Sequence, residues 1–195
     1  MKDKIKEAID EHSKLIDEIV SDSELMKKIE IITKRIIESY KMGGKLVIFG
    51  NGGSASDAQH IVAELINKFK LDRPMLNALA LNVNTSVITA IANDSSYDDV
   101  FSKQIEYLVD YKDVVIGIST SGKSRSVIKA MQTARNKGAL TVGFTGRTGG
   151  PMKDYVDILL NMPSDSTPRI QEAHILAGHI ICELIEQELF GKKYE

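Results

Sequence analysis

Apolar side chains at Ile5, Ile9, Ile16 and Ile19, with His12 between them, recur at alternating steps of four and three. That period predicts an amphipathic helix from Ile5 to Ile19. A second helix is expected from near Ser21, where Ser-Asp-Ser-Glu has capping-box spacing, with Leu25, Ile29, Ile32 and Ile36 on one stripe and Gly43-Gly44 as its stop. Together they predict a helical hairpin over residues 1–42. Beyond it the pattern changes to five short runs that are apolar almost throughout: Lys45–Phe49, Leu76–Leu81, Val114–Ile118, Leu140–Phe144 and Val156–Asn161. Helical segments separate them, and strands buried on both faces read as continuous apolar runs. The expected fold is therefore α/β, a five-stranded parallel sheet with helices on both faces plus the N-terminal hairpin.

The sheet and its crossovers account for the chain from about residue 40 onward, so the hairpin is an extra. It either packs across a subunit boundary or covers one sheet face of a monomer. At 195 residues, 43% hydrophobic and 27% charged, the chain has room for one domain over 1–195 with a substantial core, and not for two complete domains. A formal charge of -2 with pI near 6.1 supplies no basic field of the kind a nucleic-acid partner needs. The single cysteine, Cys182, leaves no intrachain disulfide framework and reads as a small buried hydrophobe. No run reaches the ~18 apolar residues of a membrane span, and MKDKIKEAIDEH has no apolar signal core. A cytoplasmic protein without membrane or nucleic-acid partners is expected.

Two stretches carry the candidate chemistry. VVIGISTSGKS, Val114 to Ser124, runs an apolar strand into four hydroxyls (Ser119, Thr120, Ser121, Ser124) and then a helix start. Amides at a helix start favour an anion by about 0.3–1 kcal/mol per charge before direct hydrogen bonds are counted. Gly117 to Ser124 also spells G-x-x-x-x-G-K-[ST], the nucleotide P-loop. A P-loop enzyme further needs a strand ending in an acidic residue that holds magnesium, and the strands here end in Leu81-Asn82, Phe144-Thr145 and Leu160-Asn161. Lys123 either reaches a phosphate or stands as a solvated lysine. LVIFGNGGS, Leu46 to Ser54, echoes the strand, loop and helix start of the first stretch. Its glycines are not spaced as G-x-G-x-x-G. Two such loops on neighbouring parallel strands both open at the carboxyl edge, where open α/β sheets bind ligands, so the pocket is expected between them.

Polar groups on two helices complete the set. His60 and Glu64 stand four apart, on one helical face. Along RIQEAHILAGH, Gln171, His174 and His179 interrupt a run that Ile170, Ile175, Leu176, Ile180, Ile181, Leu184 and Ile185 would bury, and buried polar groups need partners. Gln171 and His179 are separated by ~80° around the helix and ~12 Å along it. Either long side chains converge on one ion, or neighbouring subunits share the work.

At these residues the chain resembles the phosphosugar isomerase (SIS) domain family and, within it, the phosphoheptose isomerases. The resemblance runs over almost the full length: the hairpin, GNGGSASDAQHIVAEL, AIAND, FSKQIE, DVVIGISTSGKS and RIQEAHILAGHIICELIE. GISTSGKS indicates the broader domain, whereas His60, Glu64, Gln171 and His179 together point to the isomerase. The resemblance implies a flavodoxin-like three-layer sandwich and interconversion of D-sedoheptulose 7-phosphate with D-glycero-D-manno-heptose 7-phosphate for bacterial surface heptose, in lipopolysaccharide or capsule. It also implies a homotetramer with active sites at subunit interfaces, and one Zn2+ per subunit on His60, Glu64, Gln171 and His179. Carried over likewise, Asn51, Gly52, Gly53, Glu64, Asn93, Asp94, Ser119, Thr120, Ser121, Ser124 and Gln171 bind substrate. Two positions depart from some relatives. Lys68 stands where arginine occurs, keeping charge without a bidentate grip, and Pro168 stands where an acidic residue occurs, leaving Thr167 or Asp165 as stand-ins. Aldose–ketose isomerisation needs a base, an acid and stabilisation of an oxyanion; Glu64 and His179 are the expected acid–base pair, with Glu64 as ligand, base or both. Binding without catalysis, as in phosphosugar-sensing relatives of this fold, is the competing reading of the hydroxyl loop alone.

Overall fold

The computed structural model describes residues 1–191, so the last four positions of the expected domain lie outside the described residues. Helices α1 (Lys2–Ser21) and α2 (Ser23–Lys41) meet at Asp22. Asp22, rather than Ser21, caps α2, its Oδ1 accepting the Leu25 N–H at 3.0 Å. Ser21 still belongs to α1 and donates its hydroxyl back to the Asp17 and Glu18 carbonyls, an outlet open to serine at a helix end. The stripe Leu25, Ile29, Ile32, Ile36 is fully buried. Along α1 only the second half packs: Leu15 and Ile19 are buried, whereas Ile5 and Ile9 are 56% and 60% exposed. Among the described residues nothing covers them.

Strands β1 (Leu46–Gly50), β2 (Ala78–Ala80), β3 (Val114–Ile118), β4 (Leu140–Thr145) and β5 (Ile158–Asn161) form one parallel sheet in the order β2-β1-β3-β4-β5. Two are shorter than their apolar runs. The Leu76 N–H goes to the Leu65 carbonyl instead of the ladder, and Val156 follows a 3-10 turn at Pro151–Tyr155 and packs without pairing. The remaining helices are α3 (Gly53–Ile66), α4 (Thr85–Asp94), α5 (Ser102–Leu108), α6 (Arg125–Asn136) and α7 (Thr167–Phe190).

Alternate strand residues feed two cores. Leu46, Ile48, Ile116 and Ile118 meet α2, α3 and α7. Val47, Phe49 and Val115 meet α5 and α6 on the other face. This is the three-layer sandwich that continuous apolar strands require. The chain steps outward one way from β1 to β2 and the other way from β3 through β4 to β5. The boundary between β1 and β3 is therefore the topological switch point, and the loops after these two strands, Asn51–Gly52 and Ser119–Ser124, splay apart there. Among the described residues no helix is long and apolar enough to cross a membrane.

Candidate functional site

Asn51 ties the two loops together. Its Nδ2 donates to Ser124 Oγ at 2.8 Å and to Ser126 Oγ at 3.0 Å, while its Oδ1 accepts the Tyr97 hydroxyl at 2.8 Å. The amide is thereby fixed in one orientation. Gly52 has φ +59, a left-handed conformation that costs glycine little. A Cβ on Gly53 would meet Gln171 Nε2 at 2.5 Å, so the missing side chain seats the Gln171 amide against the first turn of α3.

The hydroxyl loop is held by its backbone. Ser119 N–H donates to the Phe144 carbonyl and Gly146 N–H to the Thr120 carbonyl, both at 2.9 Å. Ser121 Oγ accepts the Lys123 N–H at 3.2 Å, and Lys123 itself is exposed. Ser124 is the N-cap residue of α6 but makes no side-chain cap bond, because its hydroxyl faces Asn51. The first amides of α6 are thus left for an anion. On the β4 side of the loop a cavity of about 280 Å3 is lined by Thr120, Ser121, Lys123, Arg147, Ser164 and Thr167, among others. Arg147 Nε lies 3.3 Å from Asp165 Oδ2.

On α3 and α7 three donors converge. His60 Nε2 is 3.1 Å from Glu64 Oε1 and 3.4 Å from His179 Nε2, and ligand atoms of all three residues lie within 4.8 Å of one another. Adjacent ligands around a tetrahedral zinc with ~2.0–2.1 Å bonds stand about 3.3 Å apart, and two histidines with one carboxylate are a set that leaves a position open. The residues therefore fit such an ion. The Phe69 ring stacks on His179, with centroids 5.5 Å apart and planes at 19°. The Gln171 amide rests at the other end of α3. Seated against Gly53, it lies two turns of α3, ~10 Å, from His60.

Five residues on an α-helix turn through ~140°, and that separates the two α7 imidazoles. His179 faces the triad, whereas His174 is fully buried with Nε2 3.0 Å from the Thr145 carbonyl. Asn93 and Asp94 end α4, exposed and bonded to each other at 2.8 Å. Tyr97, three residues further on, is the residue of that segment that reaches Asn51. Lys68 and Pro168 are exposed; Thr167 lines the cavity, and Asp165 is engaged by Arg147.

Sequence reading missed Tyr97, Ser126 and Phe69, none of which belongs to a spaced motif. It also passed over Asp57, one turn before His60. Burial pushes the Asp57 carboxyl above its ordinary pKa, His60 offsetting part of this, and its Oδ2 has no hydrogen-bond partner among the described residues.

Residues 9–146 match the SIS domain family. The phosphoheptose isomerase of Clostridium acetobutylicum is 49% identical over 179 residues, 92% of this chain and 91% of that protein. The solved phosphoheptose isomerase of Francisella tularensis superposes with a TM-score of 0.91 at 32% identity, covering 95% of this chain and 97% of that one. That of Neisseria gonorrhoeae gives 0.90 at 36% identity over 95% and 98%.

Proposed function

This chain belongs to the phosphoheptose isomerases of the SIS domain family and is a phosphosugar isomerase, and on that premise we propose that it interconverts D-sedoheptulose 7-phosphate and D-glycero-D-manno-heptose 7-phosphate, supplying surface heptose for lipopolysaccharide or capsule. The observation that carries the reading is the placement of two chemically different groups of residues along α3. A hydroxyl and amide cradle lies at the β1/β3 switch point, tied by Asn51 to Ser124, and the His60–Glu64–His179 triad lies about two turns along α3 from its start.

The cradle of Ser119, Thr120, Ser121 and Ser124 holds the terminal phosphate. Asn51, Gly52, Gly53, Asn93, Asp94 and Gln171 contact the sugar. Binding energy at the phosphate then orients the reacting end. Glu64 Oε1 faces His60, and its Oε2 makes no hydrogen bond among the described residues. That free oxygen is the base: it takes the proton from the carbon beside the carbonyl, whose electron pair becomes the enediol double bond as His179 gives a proton to the carbonyl oxygen. Return of the Glu64 proton to the neighbouring carbon, with loss of the other hydroxyl proton to His179, completes the isomerisation. His60, Glu64 and His179 would hold one zinc ion per subunit, with Gln171 as the fourth donor, either reaching over from its seat against Gly53 or supplied by a neighbouring copy. When bound, the ion supplies Lewis-acid polarisation of the carbonyl.

The single domain assembles as a homotetramer whose active sites lie at subunit interfaces, with the N-terminal hairpin in the contact. The exposed Ile5 and Ile9 on α1, and Ile180 and Leu184 at 37% and 38% exposure on α7, support this. A cytoplasmic setting suits the free, buried Cys182. The test is incubation of purified protein with sedoheptulose 7-phosphate, with the product identified by NMR and zinc measured on the same sample. An aldoheptose phosphate is expected; binding of the sugar phosphate without conversion overturns the reading.

A further inference from the structure

Behind the triad lies an ion pair that is buried completely. Arg73 and Glu186 side chains are 0% and 1% exposed, and Arg73 Nε donates to Glu186 Oε1 at 2.8 Å. Their remaining polar atoms are committed to backbone. The Glu186 carboxylate accepts three successive N–H groups, from Phe69 and Lys70 at 2.8 Å and Leu71 at 3.0 Å. Burial pushes its pKa up, but these donors and Arg73 outweigh that and hold it below the ordinary carboxylate range. Arg73 donates to the Glu64 carbonyl at 2.9 Å and the Leu65 carbonyl at 2.6 Å, closing the end of α3, where the last carbonyls have no intrahelical partner.

A buried pair of this kind stabilises a fold little compared with well-packed apolar side chains. What it fixes here is geometry on both sides of the triad. The turn of α3 that carries Glu64 is clamped by Arg73. The segment pinned by Glu186 carries Phe69, whose ring stacks on His179. Glu186 itself stands seven residues beyond His179, on the same face of α7. The loop from α3 thus closes back onto the helix that presents the imidazole.

We propose that Arg73 and Glu186 are positioning residues for the metal-binding triad, holding the Glu64 turn and, through Phe69, the plane of the His179 ring. This rests on the reading that His60, Glu64 and His179 hold zinc, and it adds the parts that aim them. Groups that orient metal ligands typically account for about 10- to 100-fold in metal affinity.

The experiment is a competition titration of full-length protein with a chromophoric zinc chelator, on wild type, Glu186→Gln, Phe69→Leu and Phe69→Tyr, with far-UV circular dichroism to establish folding. The zinc dissociation constant is expected to rise about tenfold or more in Glu186→Gln and in Phe69→Leu. It should return to within about threefold of wild type in Phe69→Tyr, which keeps the stacked ring. In the zinc-loaded variants kcat falls while KM for the sugar phosphate holds, because the cradle is untouched. A role in stability alone would lower the melting temperature and leave the dissociation constant of the folded protein unchanged. Folded Phe69→Leu that binds zinc as wild type does overturns the proposal, whether or not Glu186→Gln folds. Wild type that binds no zinc overturns the metal reading itself, which separates the two failures.

Discussion

His174 should make the fold sensitive to acid. A carbonyl only accepts, so the ring nitrogen facing Thr145, Nε2 at 3.0 Å, carries the hydrogen, and Nδ1 is left bare with no partner among the described residues. Protonation would place a charge and a new N–H at a fully buried atom that has no acceptor among the described residues. Burial accordingly pushes the pKa from the ordinary 6.5 down to about 4, the Thr145 bond offsetting only part of it. The unfolded chain takes up this proton near 6.5, whereas the folded protein refuses it until about 4. The contribution is thus complete above the unfolded value and is lost as pH falls through that window. It amounts to about 3 kcal/mol. The consequence reaches the site, because Thr145 is followed by Gly146, whose N–H holds the Thr120 carbonyl of the hydroxyl loop. Urea unfolding of wild type and His174→Gln, which keeps a donor but cannot titrate, isolates the effect at fixed protein concentration. Wild type should lose about 3 kcal/mol more than the variant between pH 6.5 and about 4. Parallel losses in the two proteins, or an NMR titration of His174 near its ordinary value, would refute the reasoning.

Three further outcomes are expected. Asn51→Ala removes the link between the two loops, each hydrogen bond contributing about 1 kcal/mol net, and should raise KM for the phosphorylated substrate about tenfold while lowering the melting temperature by several degrees; an unchanged KM would detach Asn51 from substrate binding. Stripping metal with a chelator should lower turnover in step with zinc content, and readdition should restore it; full activity in metal-free protein would remove zinc from the reaction. Ile5→Glu combined with Ile9→Glu forfeits about 1.5–3 kcal/mol per side chain if these residues are covered by a partner copy. Sedimentation should then show particles smaller than the tetramer, whereas a particle of wild-type size would take the first half of α1 out of the contact.

Much of the architecture was legible because its physics is local or periodic. Strands buried on both faces must be apolar at nearly every position, which is why Val114–Ile118 was read to the residue. The ends of Leu76–Leu81 were misjudged because the destination of the Leu76 N–H, the carbonyl at the end of α3, is a tertiary fact. His60 and Glu64 share a face by spacing alone, but spacing does not say that His179 rather than His174 meets them; only the family resemblance points to His179. That follows from which side of α7 turns toward α3. Gln171 is set apart from His179 along α7 by spacing alone, and where its amide rests, in the space left by the missing Gly53 side chain, is a tertiary fact. Tyr97 opens a short 3-10 turn, Tyr97–Asp99, and Phe69 sits in a loop, where reach is decided by contacts such as the Asp99–Lys129 ion pair and the Glu186 carboxylate. Arg73 and Glu186 are ordinary charged positions until the fold buries them together across 113 residues.

The central claim is that Glu64 and His179 carry the proton transfer while the hydroxyl cradle only holds the substrate. Steady-state kinetics of Glu64→Gln and His179→Gln, with oligomeric state checked on the same preparations, tests it most directly. Turnover should fall by at least about 100-fold in each, with the assembly intact and sugar-phosphate affinity retained. Near-normal turnover in both variants would contradict it.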